Sequence, residues 1–257
     1  MCTVISETML YNVTTNAIFA RDLSIEMQTW NGMQKYFRDT TECDEPAWLN
    51  SPLLAGRREL FSLALKTMWL CRQDLTDPDV KVQIRSCAHR QKLLYDSVMT
   101  FYPPVFPQAM LIRYQCRHLI LLRALQILLL KLARPDICSA HPDMQLAVEA
   151  LFVAIKTQVT TRTRLMSDGL SWPFCTLLCA VNTAAQFDEA RAITESFIPI
   201  MANGVQHRVA EAVRLIALKR KKLSSECQLV STGSCDGRHS CLDVLIHANG
   251  VLVGALT

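Results

Sequence analysis

Between Pro107 and Pro135 the sequence reads as one long apolar helix, and this stretch constrains the fold more than any other. Taken at 100° per residue over residues 108–133, Arg113, Arg117 and Lys131 share one edge, and apolar side chains cover nearly all the rest. A helix that is hydrophobic almost all round belongs at the centre of a bundle. It does not read as a membrane span. Arg113, Arg117, Arg123 and Lys131 interrupt it, and its longest uncharged run, Ala124 to Leu130, is far short of about 20 residues.

The flanking segments supply partners for such a centre. In 57–72, Leu60, Phe61, Ala64, Leu65 and Met68 fall on one helical face, with Arg58, Glu59, Ser62 and Lys66 on the other. Asp77-Pro78-Asp79 breaks the chain, and Asp79 is the expected cap of a second helix over about 80–101. Its apolar set is Val80, Ile84, Cys87, Leu94, Val98 and Phe101, and Pro103, Pro104 and Pro107 end it. Pro142 suits the first turn of a fourth helix over about 142–164. Gly169 marks a turn before Trp172-Pro173, where a fifth helix begins in a stretch, 169–187, that carries no charge. Asp188 is expected to open a sixth helix, and Asn203-Gly204 to separate it from a seventh over about 205–223.

No sustained period of two occurs between Ser51 and Leu223, and the chain holds only 8 glycines in 257 residues. The expected fold is all-α: an antiparallel array of about seven or more helices. Residues 1–50 read as a weakly patterned N-terminal part of it, with Trp30, Tyr36, Phe37 and Trp48 as core anchors. The helical domain occupies 51–223, and 224–257 reads as a flexible, poorly defined tail.

Half of the residues are apolar and 19% are charged, which excludes a disordered chain. The net charge of +4 is unevenly spread: 205–222 holds Arg208, Arg214, Lys219, Arg220, Lys221 and Lys222 against Glu211 alone. The remainder is therefore slightly acidic and lacks the basic face that nucleic acid requires. Met1 to Glu7 has no basic or sustained apolar region of an export signal, so the eleven cysteines read as reduced and mostly buried thiols.

The search for catalytic motifs is negative: there is no Gly-rich phosphate loop, no nucleophile elbow and no H-E-x-x-H. No catalytic residue, metal site or cofactor is assigned. His207 and Glu211, at i and i+4, have the spacing of a base and its orienting carboxylate, but a solvent-facing pair uses the same spacing. Cys175 and Cys179 stack likewise, with no further ligands at zinc spacing, and read as core. Cys227, Cys235, His239 and Cys241 are dense but lack the paired C-x₂₋₄-C form. Lys219-Arg220-Lys221-Lys222 stands out: four consecutive cations suit a nuclear-import receptor, while cations also favour the carbonyl end of a helix.

Three stretches together resemble one family. Ser51-Pro52-Leu53-Leu54-Ala55-Gly56-Arg57-Arg58-Glu59-Leu60-Phe61, followed by helix to Leu70, is similar to the opening helix of the fungal-specific transcription factor domain. That domain is the helical regulatory part of fungal binuclear zinc-cluster regulators. The apolar helix from Tyr114 to Leu132 is similar to its central helix. Leu170-Ser171-Trp172-Pro173-Phe174, with Cys179-Ala180 after it and Arg191 in the next helix, resembles its Trp-Pro helix pair.

The likeness spans about 51–222. The family's DNA-reading module needs six cysteines in paired form, and only Cys2 and Cys43 precede Cys71. The resemblance thus implies a nuclear regulator without its own zinc cluster and without autonomous DNA binding. It would act on another transcription regulator, the transcription machinery or a small-molecule effector, in control of a secondary-metabolite gene cluster. The alternative is a helical small-molecule-binding protein or pathway enzyme, with His118, Arg113 or Arg117 converging on a pocket.

Overall fold

A computed structural model describes Thr14, Met27, Gln28, Asn31 and residues 58–100, 108–160, 167–201 and 203–229. Among them are seven α-helices and no strand: α1 (Arg58–Leu70), α2 (Pro78–Thr100), α3 (Gln108–Ala133), α4 (Pro142–Thr160), α5 (Ser171–Ala180), α6 (Ala184–Phe197) and α7 (Asn203–Leu229). Short 3₁₀ turns, Ser167–Leu170 and Ile198–Ile200, precede α5 and follow α6. The all-α array is as expected. The proposed anchors Trp30, Tyr36, Phe37 and Trp48 lie outside the described residues, as does Phe101.

Helix α3 is the hub. It packs along α2 and α4 and also touches α1 and α5. Ile120, Leu121, Leu122, Ala124, Leu125, Ile127, Leu128, Leu129 and Leu132 are all buried along it. Two of the cations that share one edge, Arg117 and Lys131, are only 4% and 2% exposed, so that edge is buried with the rest of the hub. Long stems let such residues bury their methylenes while the head group finds partners. The Lys131 ammonium donates to the carbonyls of Pro135 and Ile137, closing the turn that follows the helix. The Arg117 guanidinium lies 5.5 Å from the centroid of the Phe61 ring on α1. Arg123, half-buried, stacks 4.3 Å over the Tyr95 ring and donates to its hydroxyl, tying α3 to α2.

Around the hub, the expected face of α1 is buried, and Leu63, Thr67 and Leu70 are buried with it. Thr67 manages this because its hydroxyl donates to the Leu63 carbonyl one turn back. Of the apolar set on α2, Val80, Ile84, Cys87 and Leu94 are buried. Thr14 and Met27 join the same body: Met27 lies in the core and the Thr14 hydroxyl donates to the Phe61 carbonyl at 3.5 Å. All ten residues of α5 are buried, from Ser171 to Ala180. That helix packs against α3, α4, α6 and α7, so no side of it faces solvent.

Helix boundaries depart from expectation where capping geometry overrides residue type. Asp77, not Asp79, caps α2: Pro78 has no N–H and takes the first helical position, and the Asp77 carboxylate accepts from the Asp79 amide at 2.8 Å. Helix α6 opens at Ala184 rather than Asp188, because Thr183 and Gln186 form a reciprocal capping box. Asn203-Gly204 does not separate the last two helices but starts α7; the break falls at Ile198–Met201, where Pro199 holds a 3₁₀ turn. Helix α7 also continues past Leu223 to Leu229, so the tail expected from residue 224 begins inside a helix.

Because the apolar side of α3 is packed between α1, α2, α4 and α5, truncation there leaves a cavity. Leu125→Ala, at a fully buried position, should lower unfolding free energy by about 3 kcal/mol in urea titration. Leu146→Ala, at an exposed position on α4, should change it by no more than about 0.5 kcal/mol.

Candidate functional site

The basic run Lys219–Lys222 lies within α7, well before its last turn, which carries no basic residue. The helix-end explanation for these cations therefore does not hold. Four consecutive helical residues point about 100° apart, so the run is divided among different directions. Lys221 and Lys222 are exposed, Lys219 is half-buried, and Arg220 turns toward the body.

Arg220 meets the connection between α5 and α6. Its guanidinium donates to the carbonyls of Val181 at 2.7 Å, Asn182 at 3.1 Å and Thr183 at 3.4 Å. It also lies 4.8 Å from the centroid of the Phe187 ring on α6. A planar fork is well matched to these partners, because it reaches several oxygens at once while its face covers a ring, which an ammonium cannot do. The positive group also sits near the carbonyl end of α5, where the helix dipole favours a cation.

The donors of the same connection are taken as well. The amides of Asn182 and Thr183 both donate to the Gln186 side-chain oxygen, at 3.1 and 3.2 Å, and the Val181 amide donates to the Leu177 carbonyl. Every backbone polar group from Val181 to Thr183 thus has a protein partner. Sequence reasoning places Arg220 in the import run and misses this structural role. A signal is present in Phe187, an aromatic ring beside a polar connection that needs a cover, but the distance in sequence hides the pairing.

On its outer side α7 carries Arg208, Arg214, Lys221 and Lys222, with Leu218 among them at 51% exposure. Arg214 lies one turn before Leu218, and Lys221 and Lys222 one turn after it. Glu211 is the acid on this face, and Arg214 engages it through two bonds of 2.8 and 2.6 Å. That fork holds the Glu211 carboxyl below its usual range, with the charge of His207 a lesser contributor. Glu211 thus pairs with Arg214 rather than orienting His207, which is exposed.

The remaining sequence candidates are scattered. Arg117 and His118 are buried in α3, and of Arg113 only the backbone position is described. Cys175 and Cys179 are fully buried in α5, and no metal-binding group of His, Cys, Asp or Glu occurs among the described residues. Cys235, His239 and Cys241 lie outside the described residues, as does the Cys227 side chain. Among the described residues, no helix is long and apolar enough to cross a membrane. No family model, no curated protein and no solved structure matches this chain.

Arg220→Ala strips the 181–183 carbonyls of a charged donor and should cost about 1–3 kcal/mol in denaturant titration. Lys221→Ala should stay within about 0.5 kcal/mol of the parent. Burial pushes the Cys71 and Cys175 thiols up to about 12, so neither ionises near neutrality. At pH 8, iodoacetamide should leave both unmodified in the folded chain and alkylate both in urea, as read by peptide mass spectrometry.

Proposed function

We propose that this chain is a transcription-regulator-like protein of fungal type, without its own zinc cluster, that acts by docking a partner rather than by chemistry. The observation that carries the reading is the outer face of α7: an exposed Leu218 with Lys221 and Lys222 one turn after it and the Arg214–Glu211 pair before it, on a body that is otherwise slightly acidic. An apolar centre with a cationic rim suits a protein segment that sets acidic residues around an apolar one. Phosphates alone would make no use of the leucine. The sequence resemblance over 51–222 supplies the regulatory context: a nuclear protein that joins another regulator or the transcription machinery, in control of a secondary-metabolite gene cluster. The basic run serves nuclear import in this reading.

Deleting the gene and comparing transcripts and metabolites with the parent strain tests the proposal. Transcripts of one co-located gene set should fall together. Steady transcripts with a single accumulating intermediate would instead mean that the protein handles that molecule, the reading in which buried Arg117 and His118 matter. For import, Lys221→Ala with Lys222→Ala should abolish nuclear accumulation of a fluorescent fusion while leaving Arg220 in its contacts. An unchanged distribution removes the run from that role.

A further inference from the structure

The proposed import role meets a geometric difficulty in the folded chain. A receptor that reads consecutive cations needs them aligned, as they are on an extended strand, where side chains alternate between two rows. In α7 the same four side chains point in four directions, and Arg220 is occupied by Val181, Asn182, Thr183 and Phe187. No single groove can take all four cations while that helix is intact.

The way α7 is attached suggests how the run becomes readable. Its apolar anchors Val205, Val209, Ala212, Val213 and Ile216 lie on the side facing α5 and the Ile198–Ile200 turn. Ile216 is the last fully buried apolar side chain described along the helix, and Arg220 comes one turn later. Arg220 is therefore a contact, beyond the apolar anchors, that any opening of the run must break; its bonds to Asn182 and Thr183 are exposed and the one to Val181 is half-buried. Such a local opening is far easier than global unfolding.

We infer that Lys219–Lys222 is a latched import signal: Arg220 holds it shut against the α5–α6 connection, and an import receptor reads it only after the end of α7 unwinds. The inference rests on the proposed import role and adds its regulation. The ligand class is a receptor groove that takes Lys and Arg side chains from an extended segment. Whatever displaces Arg220 from Val181–Thr183, including a partner that settles against Phe187, would then switch the run from a structural element to a signal.

The test compares a fluorescent peptide spanning Leu215 to Glu226 with the full chain for binding to a purified nuclear-import receptor. The intact chain should bind at least about tenfold more weakly than the peptide, since only the opened fraction is competent. Arg220→Lys keeps four cations but loses the fork, and Phe187→Ala removes the ring; each full-length variant should recover several-fold in affinity. The peptide with the same Arg220→Lys change controls for the receptor's own preference. Hydrogen exchange on the wild-type complex should show amides beyond Ile216 losing protection on binding, a readout that does not depend on any variant folding.

Equal affinity of peptide and intact chain, or retained protection in the complex, overturns the latch and leaves import standing. Failure of both variants to gain affinity while their melting transitions are retained removes Arg220 as its keeper. If the receptor binds neither peptide nor chain, the import reading itself falls and the latch with it.

Discussion

Helix α5 has no side exposed to solvent, and much of the surrounding architecture exists to accommodate that. A fully buried helix needs apolar neighbours all round, and α3, α4, α6 and α7 provide them. It also needs the buried backbone at its end satisfied, since an unpaired buried polar group costs about 1–3 kcal/mol, and the Val181 carbonyl is the part of the connection least open to water. Arg220 and Gln186 meet that need from two different helices. The position of α7 is thus set both by the apolar residues Val205 to Ile216 and by where its guanidinium must reach.

Periodicity reveals most of the helices because their apolar residues recur at helical spacing and their ends carry proline. Pro107, Pro135 and Pro142 place the bounds of α3 and the start of α4, since proline permits only certain helix positions. The misplaced starts of α2 and α6 share one cause. Asp79 and Asp188 are helix-end residues by type, whereas caps are decided by which side chain can reach which amide. Asp77 wins because Pro78 follows it, and Thr183 wins because Gln186 completes the reciprocal pair.

Charge is harder to read than hydrophobicity. A cation in sequence marks a solvated position only when its neighbours offer no carbonyl or ring. Lys131 has the Pro135 and Ile137 carbonyls, Arg117 has Phe61, and Arg220 has partners about forty residues away, so all three turn inward. None of those partners is local enough for periodicity to show except at Lys131. The same division separates the four cations of the basic run, which sequence presents as a unit and helix geometry does not.

The connection from Val181 to Thr183 has a consequence for how this protein tolerates change in length. Surface connections are ordinarily where a chain accepts extra residues, because their backbone is solvated and indifferent to register. Here each amide and each carbonyl has a protein partner, contributed by Leu177, Gln186, Phe187 or Arg220. One added residue would shift every pairing and leave the buried end of α5 unsatisfied. This joint is a fixed-length component of the fold.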